Sequence, residues 1–205
     1  NFATIPGICL DAAPRQIVQA TELSGLPGTG IYSGNGLSAT GLFNPAVAGV
    51  GTHLLQYIFK SSVGCSDTAT QTITVWPRPV AQFSVDNPTC VSQAVTLRDA
   101  SSAGFGGVAV WNWNFGDGTN STTFNATPIF HTYATLGNKT ITLDVKTDSG
   151  CSSLPISKSI NIHPLPVADF NVPAVCMPAG LANFTNTSTI SDGSQGQLSY
   201  TWQFG

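Results

Sequence analysis

Apolar and polar residues alternate with a period of two along much of this chain. Residues 139–145 set Ile141, Leu143 and Val145 against Thr140, Thr142 and Asp144. Residues 108–115 put Trp111, Trp113 and Phe115 on one face and Asn112 and Asn114 on the other. Successive side chains of a strand point to opposite sides, so each run predicts a half-buried strand. Residues 80–85, 94–97 and 156–162 predict three more, with Asn87-Pro88 ending the first of them. Short strands separated by turn signals roughly every ten residues predict a two-sheet antiparallel sandwich. No stretch carries the period of a long helix, and no apolar run nears the roughly 18 residues of a membrane span.

The pattern also repeats. Residues 51–65 align without a gap on residues 137–151. Each opens on Gly, alternates, and closes on Gly-Cys, and Leu55, Tyr57 and Phe59 fall on Ile141, Leu143 and Val145. Pro79-Val80-Ala81-Gln82-Phe83 returns as Pro166-Val167-Ala168-Asp169-Phe170. Trp111-Asn112-Trp113-Asn114-Phe115-Gly116 returns as Tyr200-Thr201-Trp202-Gln203-Phe204-Gly205. A unit of about 86 residues is long enough to bury a core of its own. Trp76-Pro77-Arg78-Pro79 and His163-Pro164-Leu165-Pro166 are read as linkers, because proline ends a strand and stiffens the chain. The expected domains are 1–78, 79–164 and 165–205: an Ig-like sandwich with a truncated first strand, a complete unit, and the first half of a third. Phe2 stands where Phe83 and Phe170 stand, so both ends are expected to lie inside domains of a longer array set end to end as a rod.

Composition narrows the function. Charged residues make up 8% of the 205, with 7 Lys+Arg against 10 Asp+Glu and a net charge of -3. Without a basic cluster, nucleic acid and anionic membranes are not expected partners. No close carboxylate pair, nucleophile elbow, zinc motif or phosphate loop stands in the sequence, so no catalytic or metal-binding residue is assigned. The aromatic triplet Trp111, Trp113 and Phe115 reads as sandwich core, with Trp111 nearest the rim. Trp111 and Trp76 are therefore the candidate surface aromatics for stacking on a sugar.

Trp113-Asn114-Phe115-Gly116-Asp117-Gly118, then His131-Thr132-Tyr133, then Gly137 and the alternating 140–145 resemble the PKD (polycystic kidney disease) domain. The family pattern is W-x-F-G-D-G, then H-x-Y, then a glycine-led alternating strand. Residues 165–205 follow it as far as Phe204-Gly205. Asn138-Lys139 departs from the Thr-Tyr often found there. In physical terms, Gly116-Asp117-Gly118 is a tight turn whose Asp accepts backbone N–H groups. Tyr133 stands where sandwiches place a tyrosine corner, and His131 is expected to bond nearby backbone. Residues 1–78 lack the Phe-Gly-Asp-Gly motif. Their Gly30–Gly36 and Gly41-Leu42-Phe43-Asn44-Pro45 segments resemble Ig-like repeats of large Bacteroidetes surface proteins, which stand beside PKD repeats. That resemblance implies an extracellular, secreted, non-catalytic segment of a cell-surface adhesin of the type IX, gliding-motility kind. It also implies neighbouring repeats as partners.

The five cysteines occupy two places. Cys9, Cys90 and Cys176 follow the first strand of their units, and Cys65 and Cys151 follow the sixth. Outside the cytosol this pattern predicts disulfides. The two places lie at opposite ends of a sandwich, over ~20 Å apart for seven-residue strands. A disulfide needs Cα atoms about 5.5 Å apart. An end-to-end array would bring together Cys9 and Cys151 of consecutive domains. Cys90 would then pair with a third-domain cysteine and Cys65 with a preceding domain. Irregular strand ends would instead allow Cys9–Cys65 and Cys90–Cys151. Several Asn-x-Ser/Thr triplets follow from composition, and Asp67-Thr68-Ala69 resembles a Bacteroidetes O-glycosylation acceptor. Calcium is the one ion that PKD relatives bring to mind, but it needs six to eight oxygens and Asp86, Asp99 and Asp148 stand apart. The expected function is a stiff spacer in an adhesin. The alternatives are an accessory polysaccharide- or protein-binding module of a secreted hydrolase, and direct contact with surface glycans.

Overall fold

The computed structural model describes residues 1–23, 25–86, 89–172 and 182–204. The Asn87-Pro88 break, Cys176 and Gly205 lie outside them. The first region carries β1 (Ile8–Cys9), β2 (Arg15–Gln16), β3 (Gly28–Gly34), β4 (Leu42–Phe43), a one-turn helix α1 (Pro45–Ala48), β5 (Gly51–Ser61) and β6 (Ser66–Trp76). Its main sheet has the order β1-β6-β5-β3, and β2 pairs with β4. β5 is antiparallel to both neighbours, whereas β1 runs parallel to β6, with Ile8 opposite Val75 and Cys9 opposite Trp76. Alternation along β5 and β6 turns Leu55, Ile73 and Val75 inward, where they meet Phe2, Ile8, Ile17 and Phe43. Phe2 joins this core through a single bridge to Ala20 rather than through a strand.

The second region carries β7 (Phe83–Asp86), β8 (Ala94–Asp99), β9 (Val108–Asn114), β10 (Asn120–Thr123), β11 (Ile129–Thr132), β12 (Gly137–Thr147) and β13 (Ile156–Ile162). Two antiparallel sheets form, in the orders β10-β9-β12-β13 and β11-β8-β7. The register sets Leu143 opposite Trp113 and Val145 opposite Trp111. From the other sheet Phe83, Val95 and Leu97 close the core, and Phe83 meets Trp113 edge to face at 5.2 Å. The fold is thus the all-β sandwich class that the alternation predicts.

Three details differ from the sequence reading. The strand expected over 80–85 begins at Phe83, because the Ser101 hydroxyl accepts from the Gln82 N–H and donates to the Gln82 carbonyl in place of a ladder. Trp111 is not a surface aromatic: it shares the inward face of Trp113 and Phe115 and is only 5% exposed. Its ladder partner Val145 is fully buried, which fixes the ring on the core side. Among its described residues the third unit carries β14 (Phe170–Asn171) paired with β15 (Thr185–Asn186) and a short 3-10 turn at Gln195–Gln197, and Tyr200, Trp202 and Phe204 lie exposed outside any strand. Their counterpart β9 is held between β10 and β12, and residues 182–204 contain no equivalent of either neighbour.

Replacing Leu143 with Ala should cost about 2–5 kcal/mol of stability, because it opens a cavity in the fully packed second core. Thr142→Ala, one residue along and facing outward, should cost about 0.5 kcal/mol or less. Urea unfolding monitored by tryptophan fluorescence measures both.

Candidate functional site

The Phe-Gly-Asp-Gly turn, His131 and Tyr133 form one polar knot on the second core. Gly116 has φ 76° and Gly118 φ 92°. A Cβ on Gly116 would stand 2.4 Å from the Thr140 carbonyl oxygen, so the turn presses against β12 too closely for any other residue. Tyr133 is fully buried and its hydroxyl donates to the Phe115 carbonyl at 2.9 Å. That bond ties the end of β9 to the segment leading into β12. Burial pushes the Tyr133 hydroxyl up to about 12, with the Asp117 charge adding to it.

His131 does not bond backbone as expected. Its ring stacks on Phe115 at 4.0 Å and 5°, and Nε2 meets Asp117 Oδ2 at 2.7 Å. With one face of the ring on Phe115, its Nε2 is spent on the Asp117 carboxylate that the tight turn lifts toward it. Asp117 Oδ1 accepts from the Thr119 N–H at 3.0 Å and from its hydroxyl at 2.6 Å. Partial desolvation works to raise the Asp117 carboxyl, but the hydrogen bonds from Thr119 and His131 outweigh it and hold it at about 2. Both carboxylate oxygens and one imidazole nitrogen are therefore engaged in holding the turn.

The second constellation is the joint between the two cores. Cys9 and Cys151 are disulfide-bonded, with Cα atoms 5.6 Å apart and a separation of 142 in sequence. Cys9 sits at the end of β6, through its parallel pairing with Trp76. Cys151 sits at the tip of the β12–β13 hairpin, buried at 1% exposure. The side chains of Arg78 and Asp11 form an ion pair beside the bond. Pro77 rests against Gly104, and Pro79 is buried. Trp76 is half-buried, with its ring so close to Gly7 that a Cβ there would fall 2.3 Å from it. The second candidate surface aromatic is thus committed to packing beside the linker.

The remaining described cysteines repeat these two positions. Cys90 bridges His163 in parallel, as Cys9 bridges Trp76. Cys65 sits in the same hairpin tip as Cys151. The N–H of Cys65 bonds the Ser61 hydroxyl and its carbonyl accepts from the Ser61 N–H; Cys151 does both with Thr147. Both Cys65 and Cys90 are free thiols, Cys65 exposed beside a hollow of about 380 Å³ lined by Leu23, Tyr57 and Phe59. The hydroxyl four residues before each hairpin cysteine was a signal present in the sequence and not used. So was the Asp11–Arg78 pair. At the second linker His163 Nδ1 meets Asp192 Oδ2 at 2.8 Å, and the hydrogen bonds from Ser194 and then His163 hold the Asp192 carboxyl at about 2.

The acids weighed for calcium are spoken for: Asp86 by Arg98 at 2.6 Å, Asp99 by the Ser101 N–H at 3.0 Å and Asp148 by the Gly107 N–H at 3.1 Å. Among the described residues, no three of His, Cys, Asp or Glu gather where they could hold a metal ion.

Residues 76–162 match the model of the PKD domain family. A comparison with curated proteins finds no match. Among solved structures, the PKD1 domain from Vibrio cholerae metalloprotease PrtV is 27% identical, with a TM-score of 0.36, and the alignment covers 42% of this chain and 96% of that one. The PKD1 domain of Vibrio anguillarum Epp is 22% identical with a TM-score of 0.37, covering 42% and 95%. The Clostridium thermocellum CbhA fibronectin(III)-like modules are 16% identical with a TM-score of 0.38, covering 70% and 83%.

Asp117→Asn should lower stability by about 1–3 kcal/mol at pH 7, the worth of hydrogen bonds to a charged group. The folded carboxyl titrates below its ordinary range, so its contribution is complete above that range. It is lost as pH falls from near 4 toward 2. Denaturation series from pH 7 to pH 2 should show wild type and variant converging only at the acid end.

Proposed function

We propose that this chain is a non-catalytic spacer segment of a secreted, extracellular surface protein, in which PKD-type and Ig-like repeats stand end to end and hold an adhesive part away from the cell. The observation that carries the reading is the joint. A disulfide joins the two cores directly, an ion pair holds the linker's Arg78 to Asp11 beside the first core, and the linker's Pro77 rests against Gly104 of the second. A module that only needed to bind a ligand would have no use for a covalently fixed angle to its neighbour. The PKD-type match over 76–162 and the sandwich fold are consistent with a structural or binding module of an extracellular protein.

The reading extends to Cys65 and Cys90. Each repeats the position of a bonded cysteine, so we assign them to equivalent bonds with neighbouring repeats, Cys90 toward the following unit and Cys65 toward the preceding one. The export route through type IX secretion and a gliding adhesin as the parent protein remain part of this proposal, carried by the sequence resemblance of residues 1–78. The rival reading, an accessory polysaccharide-binding module of a hydrolase, drew on Trp111 and Trp76 as stacking platforms. Trp111 is core and Trp76 is packed on Gly7, which removes that support.

Small-angle scattering tests the spacer. The oxidised chain should give a radius of gyration well above the ~17 Å of a compact chain of this length. The Cys9→Ala/Cys151→Ala double variant should show a broader distance distribution with an unchanged circular-dichroism spectrum. A compact value for the oxidised chain, or robust retention on insoluble polysaccharide, would favour the rival.

A further inference from the structure

We infer that the Cys9–Cys151 bond and β13 together form a tension-bearing path that carries a pulling load past both cores. The bond closes the chain into a covalent ring. A load applied at the two ends enters through residues 1–8, crosses from sulfur to sulfur, and leaves along residues 152–204. Residues 10–150, which hold the second core except Ile162 and the first core except Phe2, Ile5 and Ile8, lie off that path.

The exit leg is already taut. Cys151 stands at the hairpin tip facing the first core, and β13 runs from there to His163 at the opposite end. A strand rises about 3.2–3.4 Å per residue against a limit near 3.6 Å, so β13 has only about a tenth of its length left to give. Among the described residues it is an edge strand whose ladder pairs with β12, from Gly137–Ile162 to Leu143–Ile156, and its Lys158 also donates to the Phe83 carbonyl of β7. Tension along its axis is carried by the strand's own backbone, and any part of it that reaches the ladder acts in shear rather than opening the rungs one at a time. The far end is held as well: the His163 N–H donates to the Thr89 carbonyl, and the Val91 N–H donates to the His163 carbonyl, both at 2.8 Å.

Without the bond the geometry is unfavourable. Load would enter the second core near β7 and leave by β13, which belong to different sheets. The sandwich would be drawn apart across its hydrophobic core, and the first core would be loaded in series with it. The disulfide thus acts as a strain limiter: the two cores and the Asp117 knot stay folded under forces that would extend unlinked sandwiches. This rests on the spacer reading and concerns load applied at the chain's own ends, since bonds of Cys65 and Cys90 to neighbouring repeats would open a second path through residues 66–89; its test, on the 205-residue chain by itself, is separate. Scattering or a polysaccharide ligand can overturn the spacer without touching the load path, and the force curves can overturn the load path while the array stands.

The experiment is single-molecule pulling of the full 205-residue chain by its ends, before and after reductant, with oxidation state checked by non-reducing peptide mapping. In the oxidised chain only the residues outside the ring can extend, roughly 60 of them, or about 200 Å of contour length. Reduction should release residues 10–150 inside the ring, about 480 Å more, in one or two abrupt steps. Cys151→Ser should behave as the reduced chain does. Should that variant fail to fold, adding reductant to the folded, tethered wild-type molecule gives the same comparison. Release of several hundred ångströms by the oxidised chain would overturn the inference, as would identical curves before and after reduction.

Discussion

A short parallel pairing at the exit of each core governs where the cysteines go. Cys9 lies opposite Trp76 at the end of β6, and Cys90 bridges His163 just beyond β13. A cysteine in this position is fixed at the end from which the chain leaves for the next unit. The hairpin cysteine is fixed at the other end by a turn braced through Ser61 or Thr147. Between the two lies the last strand of the unit. For β6, an 11-residue strand, that is about 35 Å, against the 5.6 Å between the bonded Cα atoms. No relaxation of side chains closes such a gap, so bonding within a core is excluded by length alone. The bond that does form runs across the joint.

The Asp117–His131–Phe115–Tyr133 knot solves a different problem. The outer end of β9 and the segment entering β12 must be fastened at a place where a sharp turn leaves main-chain groups without ladder partners. Tyr133 satisfies the Phe115 carbonyl from inside the core. His131 covers Phe115 from outside and is itself fixed by Asp117. A histidine beside an aspartate invites a catalytic reading, yet one face of this imidazole lies on a phenyl ring and one nitrogen is bonded to the carboxylate. The second carboxylate oxygen is taken by Thr119. In the fold the pair fastens the turn, and desolvation of the depressed carboxyl is outweighed by the hydrogen bonds from Thr119 and His131.

Much of this was legible in the residue order. Period-two alternation located β9, β12 and β13 because one face of each is buried, and burial is what alternation records. The bonded pair Cys9 and Cys151 could be argued from topology and the length of a strand. What failed to read were features that depend on contacts distant in sequence. The outward bias assumed for Trp111 ignored its ladder partner Val145, which the sequence places 34 positions away. His131 was assigned to backbone because its stacking on Phe115 is not a sequence property. Tyr200–Phe204 repeat the alternation of β9, but among the described residues no strand lies beside them, and an alternating segment without ladder partners is not held as a strand.

The two complete cores also differ in what they tolerate. At matching positions the first uses Tyr57 and Phe59, half-open to solvent, and the second uses Leu143 and Val145, fully buried. Residue size, exposure and even the Phe-Gly-Asp-Gly knot change from one to the other. The hairpin brace, the exit pairing and the cysteine positions do not. A sandwich core can be filled in many ways so long as its volume is kept, whereas a covalent joint works only if two sulfurs arrive within a narrow distance of each other from opposite ends of different sheets. Where the interior varies and the ends hold still, the constraint lies at the ends, where the Cys9–Cys151 bond crosses from one core to the other.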